Sequence, residues 1–301
     1  MVPFVIHDPR FSKLVLGHAN LDKLTGGCRW AEGPAYFAAG RYLVWSDIPN
    51  NRMMRFDETD DSVSVFRSPS FNSNGNTVDS EGRLVSCEHL TRRVTRTEHD
   101  GSITILAERH EGRRLNSPND VVVKSDGSIW FSDPTYGIDS DYEGIQADSE
   151  IGASNVYRID GMTNQVTLVI GDRVQPNGLA FSPDETMLYV ADSGTTHVAG
   201  LPATIWAYKV NPDMASVGTA ALFATLTAGL FDGLRCDVHG NIWTSADRSV
   251  FCYLPDGTHI GTIPIGEMVA NVCFGGPRRN RLYICGQTSL YALYLNTRAA
   301  I

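Results

Sequence analysis

The segment NGLAFSPDETMLYVADS, residues 177–193, carries the pattern that decides the fold of this 301-residue chain. An asparagine begins it, a short apolar run follows, and Pro-Asp-Glu-Thr supplies a turn. A second apolar run, rich in aromatic and β-branched residues, comes after the turn. This arrangement predicts a β-hairpin. The fold follows from its repetition, because the same layout recurs along the whole chain.

Five further segments share this layout. They are EGPAYFAAGRYLVWSD from Glu32, NGNTVDSEGRLVSCEH from Asn74, NDVVVKSDGSIWFSDP from Asn119, DGLRCDVHGNIWTSA from Asp232 and ANVCFGGPRRNRLYICG from Ala270. Their leading residues, with that of the first segment, follow one another at intervals of 42, 45, 58, 55 and 38 positions. Such intervals bracket the length of one four-stranded propeller blade. A closed ring of blades also protects the strand edges.

The sequence therefore predicts an all-β fold, a six-bladed β-propeller with four-stranded blades, as a single domain over residues 1–301. The blades are expected to begin near residues 32, 74, 119, 177, 232 and 270. The two long intervals contain insertions near residues 138–154 and 194–203, where we expect substrate choice to be set. The segment before Glu32 leaves two alternatives open, a closing strand for the last blade or a short cap.

Composition excludes several classes of partner. The formal net charge is −9, which argues against nucleic acid, and no apolar stretch is long enough to span a membrane. The six cysteines form no C-x-x-C pair and are expected to be buried free thiols in a reducing compartment. With no recognisable signal peptide, a cytoplasmic location is expected.

The leading residues of the six segments, called the ring residues below, are the candidate functional positions. If the first apolar run of each segment lines the central channel, these residues meet at one mouth of it. Five of them carry a side-chain oxygen, a donor suited to Ca²⁺, Mg²⁺ or Mn²⁺. Each N-G or D-G pair alone is more typical of a turn than of a metal ligand, but turn chemistry does not require all of these residues at one register. The ring residues are Glu32, Asn74, Asn119, Asn177, Asp232 and Ala270.

Four motifs resemble one known family, that of gluconolactonase, senescence marker protein (regucalcin) and luciferin-regenerating enzyme. The motifs are E-G-P at 32–34, S-P-N-D at 117–120, P-N-G-L-A-F-S-P-D at 176–184 and F-D-G-L at 231–234. The resemblance implies a six-bladed propeller that binds one divalent metal ion, and many members open sugar lactones. Calcium is the expected metal, with zinc, manganese and magnesium as alternatives.

Carried over by motif, the resemblance places metal ligands at Glu32, Asn119, Asn177 and Asp232, with Asn119 binding directly or through water. It also implies a substrate contact at Asp120. Some relatives have arginine two positions before the asparagine of the N-D pair, where this chain has Ser117. Their substrate preference therefore does not transfer to this chain.

These residues predict a metal-dependent lactonase with a small-molecule lactone as its partner. Asp232 is the candidate general base, and Asn74 and Tyr136 are candidate substrate contacts. A lone histidine near a strand end, such as His89, is more typical of a structural hydrogen-bond partner than of a catalytic residue. Two alternatives remain open: a phosphotriesterase on the same metal site, and a calcium-handling or scaffold propeller without catalysis.

Overall fold

A computed structural model describes residues 4–300 and confirms the predicted six-bladed β-propeller. Each blade is an antiparallel sheet whose first strand lies innermost and whose later strands follow outward in chain order. The innermost strands of successive blades contact one another around a central channel. The sequence positions that begin the repeats therefore lie on strands that face a common axis.

The strands of the six blades have the following bounds. Blade 1 comprises Ala31–Phe37, Tyr42–Asp47, Arg52–Asp57 and Val63–Arg67; blade 2, Ser73–Val78, Leu84–Glu88, Arg93–Thr97 and Ile103–Ala107; blade 3, Val121–Val123, Ile129–Asp133, Asn155–Ile159 and Val166–Ile170. Blade 4 comprises Pro176–Phe181, Met187–Asp192, Ala203–Val210 and Val217–Leu226; blade 5, Phe231–Cys236, Ile242–Ala246, Ser249–Tyr253 and His259–Pro264; blade 6, Val269–Gly275, Arg281–Gly286 and Ser289–Tyr294.

The N-terminal segment completes the last blade. Asp22–Gly26 pairs antiparallel with Ser289–Tyr294 and forms the outermost strand of blade 6. Val5–Ile6 pairs with His259–Pro264 and adds a fifth strand to blade 5. Of the two alternatives left open for this segment, the structure therefore shows the closing strand, so that the first and last parts of the chain share one sheet.

Helical structure is confined to single turns in the described part of the chain. The helical turn Tyr136–Asp139 lies in the insertion of blade 3, and 3₁₀ turns occur at Phe11–Lys13, Ile48–Asn50 and Gly194–Thr196. A small hairpin of Arg109–His110 and Arg113–Arg114 precedes blade 3. Within residues 4–300, no helix has the length and apolar character needed to cross a membrane.

The buried apolar side chains lie between the blades. Among the described residues they form one cluster at each junction of neighbouring blades. In blade 1, Leu43 and Trp45 pack toward blade 6, whereas the intervening Val44 packs toward blade 2. Alternate residues of a strand point to opposite faces, so both faces of a blade must be apolar. This explains why the second strand of each repeat is a continuous apolar run.

All six cysteines are buried and none forms a disulfide. Cys87 and Cys285 are fully enclosed between blades, where burial raises the pKa of each thiol well above its usual value. A thiol with a raised pKa is a poor nucleophile and a poor metal ligand. The expectation of buried free thiols is confirmed, and the cysteines act as small apolar core residues.

Candidate active site

The innermost strands bring the predicted ring residues to one cavity at a mouth of the channel. The cavity has a volume of about 230 Å³. Five ring residues from five blades line it, and the sixth, Ala270, has no side-chain oxygen. The lining residues are Trp30, Glu32, Ile48, Asn74, Asn119, Tyr136, Glu143, Asn177, Thr196, Leu230 and Asp232. Carboxylate and amide groups therefore share this small space with a few apolar walls.

Glycines that follow ring residues allow the strands to approach so closely. A Cβ atom on Gly178 would lie 2.2 Å from the carbonyl oxygen of Asp232, and one on Gly33 would lie 2.1 Å from that of Asn74. Both distances are far below a van der Waals contact, and the opposing atoms belong to the backbone of the next blade. Only glycine fits at such an approach.

Acidic side chains at the ends of second strands hold the loops that precede the ring residues. The Asp133 carboxylate accepts the backbone N–H groups of Asn116 and Ser117, each at 2.9 Å. In blade 4, the Asp192 carboxylate likewise accepts the N–H of Gln175 at 2.8 Å. These bonds give both carboxylates a structural role, because they fix the loop that enters each innermost strand.

Two serines at the ends of second strands, one within the strand and one directly after it, also bond to the innermost strands. The Ser193 hydroxyl donates to the carbonyl of Phe231 at 2.6 Å and accepts the Asn177 side-chain N–H at 3.3 Å. The Ser245 hydroxyl accepts the Asp232 N–H at 2.9 Å. Both hydroxyls are therefore engaged with the ring itself, and neither is presented as a nucleophile.

The two ring carboxylates are buried close to one another. Glu32 Oε2 accepts the Asn271 side-chain N–H at 2.9 Å and also the N–H of Gly33. Burial raises the pKa of Glu32, and the nearby Asp120 carboxylate raises it further. Burial likewise raises the pKa of Asp232 well above its usual value, with Glu32 as the next cause. Buried carboxylates of this kind call for a positive counter-charge.

The unsatisfied oxygens of the ring fit a cation. The side-chain oxygens of Asn177 and Asn74 are buried and have no hydrogen-bond partner among the described residues. Within that part of the chain, no three His, Cys, Asp or Glu side chains form a metal-binding group. The ring residues offer instead two carboxylates and several amide oxygens, a donor set that suits a hard divalent ion such as Ca²⁺.

Asp120, the substrate contact that the resemblance implies, is not among the residues that line the cavity. Its side chain is buried beneath the cavity and does not line it. Its Oδ2 accepts the N–H of Leu179 at 3.3 Å and a guanidinium N–H of Arg235 at 3.2 Å. Asp120 is therefore the partner of Arg235, whereas its Oδ1 is buried without a hydrogen-bond partner among the described residues.

Asn74 and Tyr136, the other candidate substrate contacts, both line the cavity. The Asn74 side-chain amide bonds to His89 Nε2 at 3.2 Å. His89 is fully enclosed, and burial lowers its pKa to about 4. This neutral histidine orients Asn74, as the expected structural role requires. The Tyr136 hydroxyl bonds to the Thr196 hydroxyl at 3.0 Å.

Sequence reasoning missed the residues that reach the cavity from outside the repeats. Trp30 and Leu230 precede innermost strands, and Ile48 follows a second strand. Glu143 and Thr196 come from the two insertions that were expected to set substrate choice. Burial raises the pKa of Glu143 to about 7. These positions do not belong to the register of the repeats. The only sequence signal was the length of the two insertions, which indicates Glu143 and Thr196 but not the other three residues.

The fold and the cavity define a six-bladed propeller with an oxygen-lined pocket at one channel mouth. Residues 30–288 match the SMP-30/Gluconolactonase/LRE-like region, and the chain belongs to this family. It is 29% identical over 293 residues to a gluconolactonase of Zymomonas mobilis, covering 89% of this chain and 79% of the relative. The resemblance seen in the four motifs is therefore confirmed.

Two solved structures extend this comparison. A gluconolactonase of Xanthomonas campestris has a TM-score of 0.90 and 35% sequence identity, over 98% of this chain and 96% of its own. Regucalcin of Agrobacterium tumefaciens, described as a calcium-binding protein, has a TM-score of 0.76 and 20% identity, over 93% of this chain and 96% of its own. The second likeness concerns the fold alone.

The close approach at Gly178 leads to a testable prediction. Gly178→Ala should lower the free energy of unfolding by about 1–3 kcal/mol, because the new methyl group must push apart two blade backbones. Thermal unfolding measures this loss. Gly17→Ala is the matched control, since a Cβ atom there would have no neighbour within 4 Å. Equal stability of the two variants would contradict the packing described here.

Proposed function

We propose that this protein is a metal-dependent hydrolase that opens a small sugar lactone. The observation that carries the proposal is the convergence of five oxygen-bearing ring residues on one cavity. The relatives described as gluconolactonases support the same reaction class. A lactone is a cyclic ester, so its hydrolysis needs a polarised carbonyl group, an activated water molecule and stabilisation of the developing oxyanion.

Glu32, Asn119, Asn177 and Asp232 are the residues proposed to hold one divalent cation. When bound, such an ion acts as a Lewis acid toward the carbonyl group and lowers the pKa of water. The charges support this assignment, because two carboxylates balance one dication while the amides add dipoles. Calcium is the proposed ion, since every donor is a hard oxygen and no thiol or imidazole joins the set.

Asp232 is the proposed general base. Its carboxylate takes a proton from a water molecule as the water oxygen adds to the carbonyl carbon. The ring C–O bond then breaks, the proton passes to the leaving oxygen, and a hydroxy acid is formed. The hydrogen bond from the Asp232 N–H to Ser245 and the contact with Gly178 support this role, because they hold the backbone of Asp232 in place.

Asn74 and Tyr136 are the proposed substrate contacts. The Asn74 amide is oriented by His89, and the Tyr136 hydroxyl is shared with Thr196, so both polar groups have defined directions. Asp120 is not proposed as a direct contact, because it is bound to Arg235 below the cavity. The walls formed by Trp30 and Leu230 provide apolar surface for the C–H faces of a small ring.

A substrate panel tests the proposed function. We expect pH-stat titration to detect acid release from D-glucono-1,5-lactone, to stop after chelation, and to resume when Ca²⁺, Mg²⁺, Mn²⁺ or Zn²⁺ is added back singly. Paraoxon serves as the phosphotriester. Faster hydrolysis of paraoxon than of any lactone would favour the phosphotriesterase alternative. Calcium binding without hydrolysis of either class would favour the non-catalytic alternative.

Replacing the proposed base should abolish most of the turnover. Asp232→Asn is expected to lower kcat for the lactone by at least about 100-fold, because an amide cannot accept the proton. Steady-state rates, with circular dichroism to verify the fold, measure the effect. Asp22→Asn, an exposed change on the closing strand, is the charge-matched control. Wild-type turnover in Asp232→Asn would remove this residue from the reaction.

Replacing the other ring carboxylate should act on the cation. Glu32→Gln keeps the shape of the side chain but removes one negative ligand, so calcium affinity should fall by at least about tenfold. Isothermal titration calorimetry measures this change. Glu58→Gln provides a comparison, because Glu58 is also a buried glutamate but bonds to Tyr36 and Tyr283 away from the cavity. Unchanged affinity in Glu32→Gln would show that the ring does not bind the ion.

A further inference from the structure

The channel continues below the ring as a second pocket, separate from the cavity that the ring residues line. Most of the residues around this pocket follow a ring residue by two to four positions, and all six blades contribute to it. Its volume is about 260 Å³, and it has no lining residue in common with the cavity above. A molecule in this pocket would therefore not touch the residues proposed to act on a lactone.

The pocket opens toward the channel mouth opposite the ring. It shares lining residues, among them Tyr36, Val78 and Phe274, with a wider depression between the first hairpin turns of blades 1 and 2. Ala299 and Ala300 form part of its rim, where the N–H of Ala300 donates to the carbonyl of Cys236 at 3.3 Å. A small molecule can enter from this side without passing the ring.

The walls of the pocket are mostly apolar. Val78, Val123 and Phe274 line it and are only half-buried, so part of their apolar surface is left uncovered by the chain. A ligand that covers such surface gains free energy in proportion to the area removed from water. The volume lies just below the range of roughly 300–1,000 Å³ that is typical of drug-sized ligands. The pocket therefore suits a compact molecule with an apolar part.

The guanidinium group of Arg235 lies at the inner end of the pocket. Its Nη1 donates to the Asp120 carboxylate at 3.2 Å and to the carbonyl of Leu234 at 2.7 Å. The N–H groups on Nε and Nη2 have no hydrogen-bond partner among residues 4–300. These two nitrogens form the edge of a guanidinium group that binds a carboxylate through two parallel hydrogen bonds. Arg235 thus keeps donors for an acceptor that the described chain does not supply.

Negative groups near the pocket do not compete for this edge. Glu185 lines the pocket, but its carboxylate accepts the N–H of Ser125 at 2.7 Å and lies 3.0 Å from Lys124 Nζ. Asp120 contacts Arg235 through Nη1 and is not among the residues that line the pocket. An anion that enters from the lower mouth would therefore meet the guanidinium group first.

We infer that this pocket, called the lower-channel site below, binds a small monocarboxylate with an apolar chain. The carboxylate bonds to the Nε–Nη2 edge of Arg235, and the chain packs against Val78, Val123 and Phe274. An inorganic anion would leave the apolar walls uncovered, and an uncharged chain would leave the donors of Arg235 without an acceptor. The inference goes beyond the proposed lactonase function and does not depend on it.

Three ligands that separate the charge from the chain test the inference. By isothermal titration calorimetry, hexanoate should bind at one site per chain. Its affinity should exceed that of acetate, which lacks the chain, and of 1-hexanol, which lacks the charge, by at least about tenfold each. Hexanoate should bind equally well with excess chelator and with excess Ca²⁺, because the site lies below the ring. Undetectable hexanoate binding, equal binding of 1-hexanol, or loss of binding on chelation, which would assign the carboxylate to a ring cation, would each overturn the inference.

Substitutions locate the site. Val123→Phe narrows the pocket without altering the ion pair and should weaken hexanoate binding at least about tenfold, whereas Val65→Phe, at a half-exposed position on the outer strand of blade 1, should not change it. The double variant Asp120→Asn, Arg235→Met leaves no buried carboxylate unpaired and should weaken binding at least about tenfold, while Asp120→Asn alone should retain it. Circular dichroism verifies each fold. Wild-type affinity in Val123→Phe or in the double variant would place hexanoate elsewhere, whatever the protein does with lactones.

Discussion

The site depends on the contact between the backbones of neighbouring innermost strands. The N–H of Gly75 donates to the carbonyl of Asn119 at 2.7 Å, so blades 2 and 3 are joined directly at the channel. At Gly33 and Gly178 the blades are so close that no Cβ atom fits. Each strand is therefore fixed relative to the next at the level of the ring. The ring residues precede these contacts by one position, so their side chains lie together at one level of the channel. The packing of the backbones sets the distances between them.

The same packing explains why the cavity has a floor. One position below the ring residues, four blades have glycine, but blade 3 has Asp120 and blade 6 has Asn271. Asn271 occupies the space that Gly233 leaves free, and Arg235 pairs with Asp120. These side chains fill the channel directly beneath the ring. Polar side chains thus lie beneath the ring, where Arg235 bonds to Asp120 and Asn271 bonds to Glu32.

Sequence periodicity predicted the fold because each blade repeats the same requirements, a turn between two apolar runs. It indicated the ring for the same reason, since one register position carries Glu32, Asn177 and Asp232. Neither the register nor the motif indicates that Arg235 lies within reach of Asp120. Glu143 has no counterpart in other blades, so no comparison between repeats could point to it. The sequence does not decide whether the segment before Glu32 forms a closing strand, because DKLTG at Asp22–Gly26 lacks a clear apolar alternation.

The two insertions form a unit that is separate from the ring. The Asp139 carboxylate bonds to His197 Nε2 at 2.9 Å, and the Tyr136 ring packs edge-on against His197 with centroids 5.4 Å apart. Through these contacts the loop of blade 3 and that of blade 4 brace each other above the cavity. The loops lie outside the interblade core, so their residues can change at little cost to the propeller. The ring, by contrast, cannot shift without moving the blades. We therefore propose a division of tasks, in which the rigid ring acts on the scissile bond and the braced loops select the substrate.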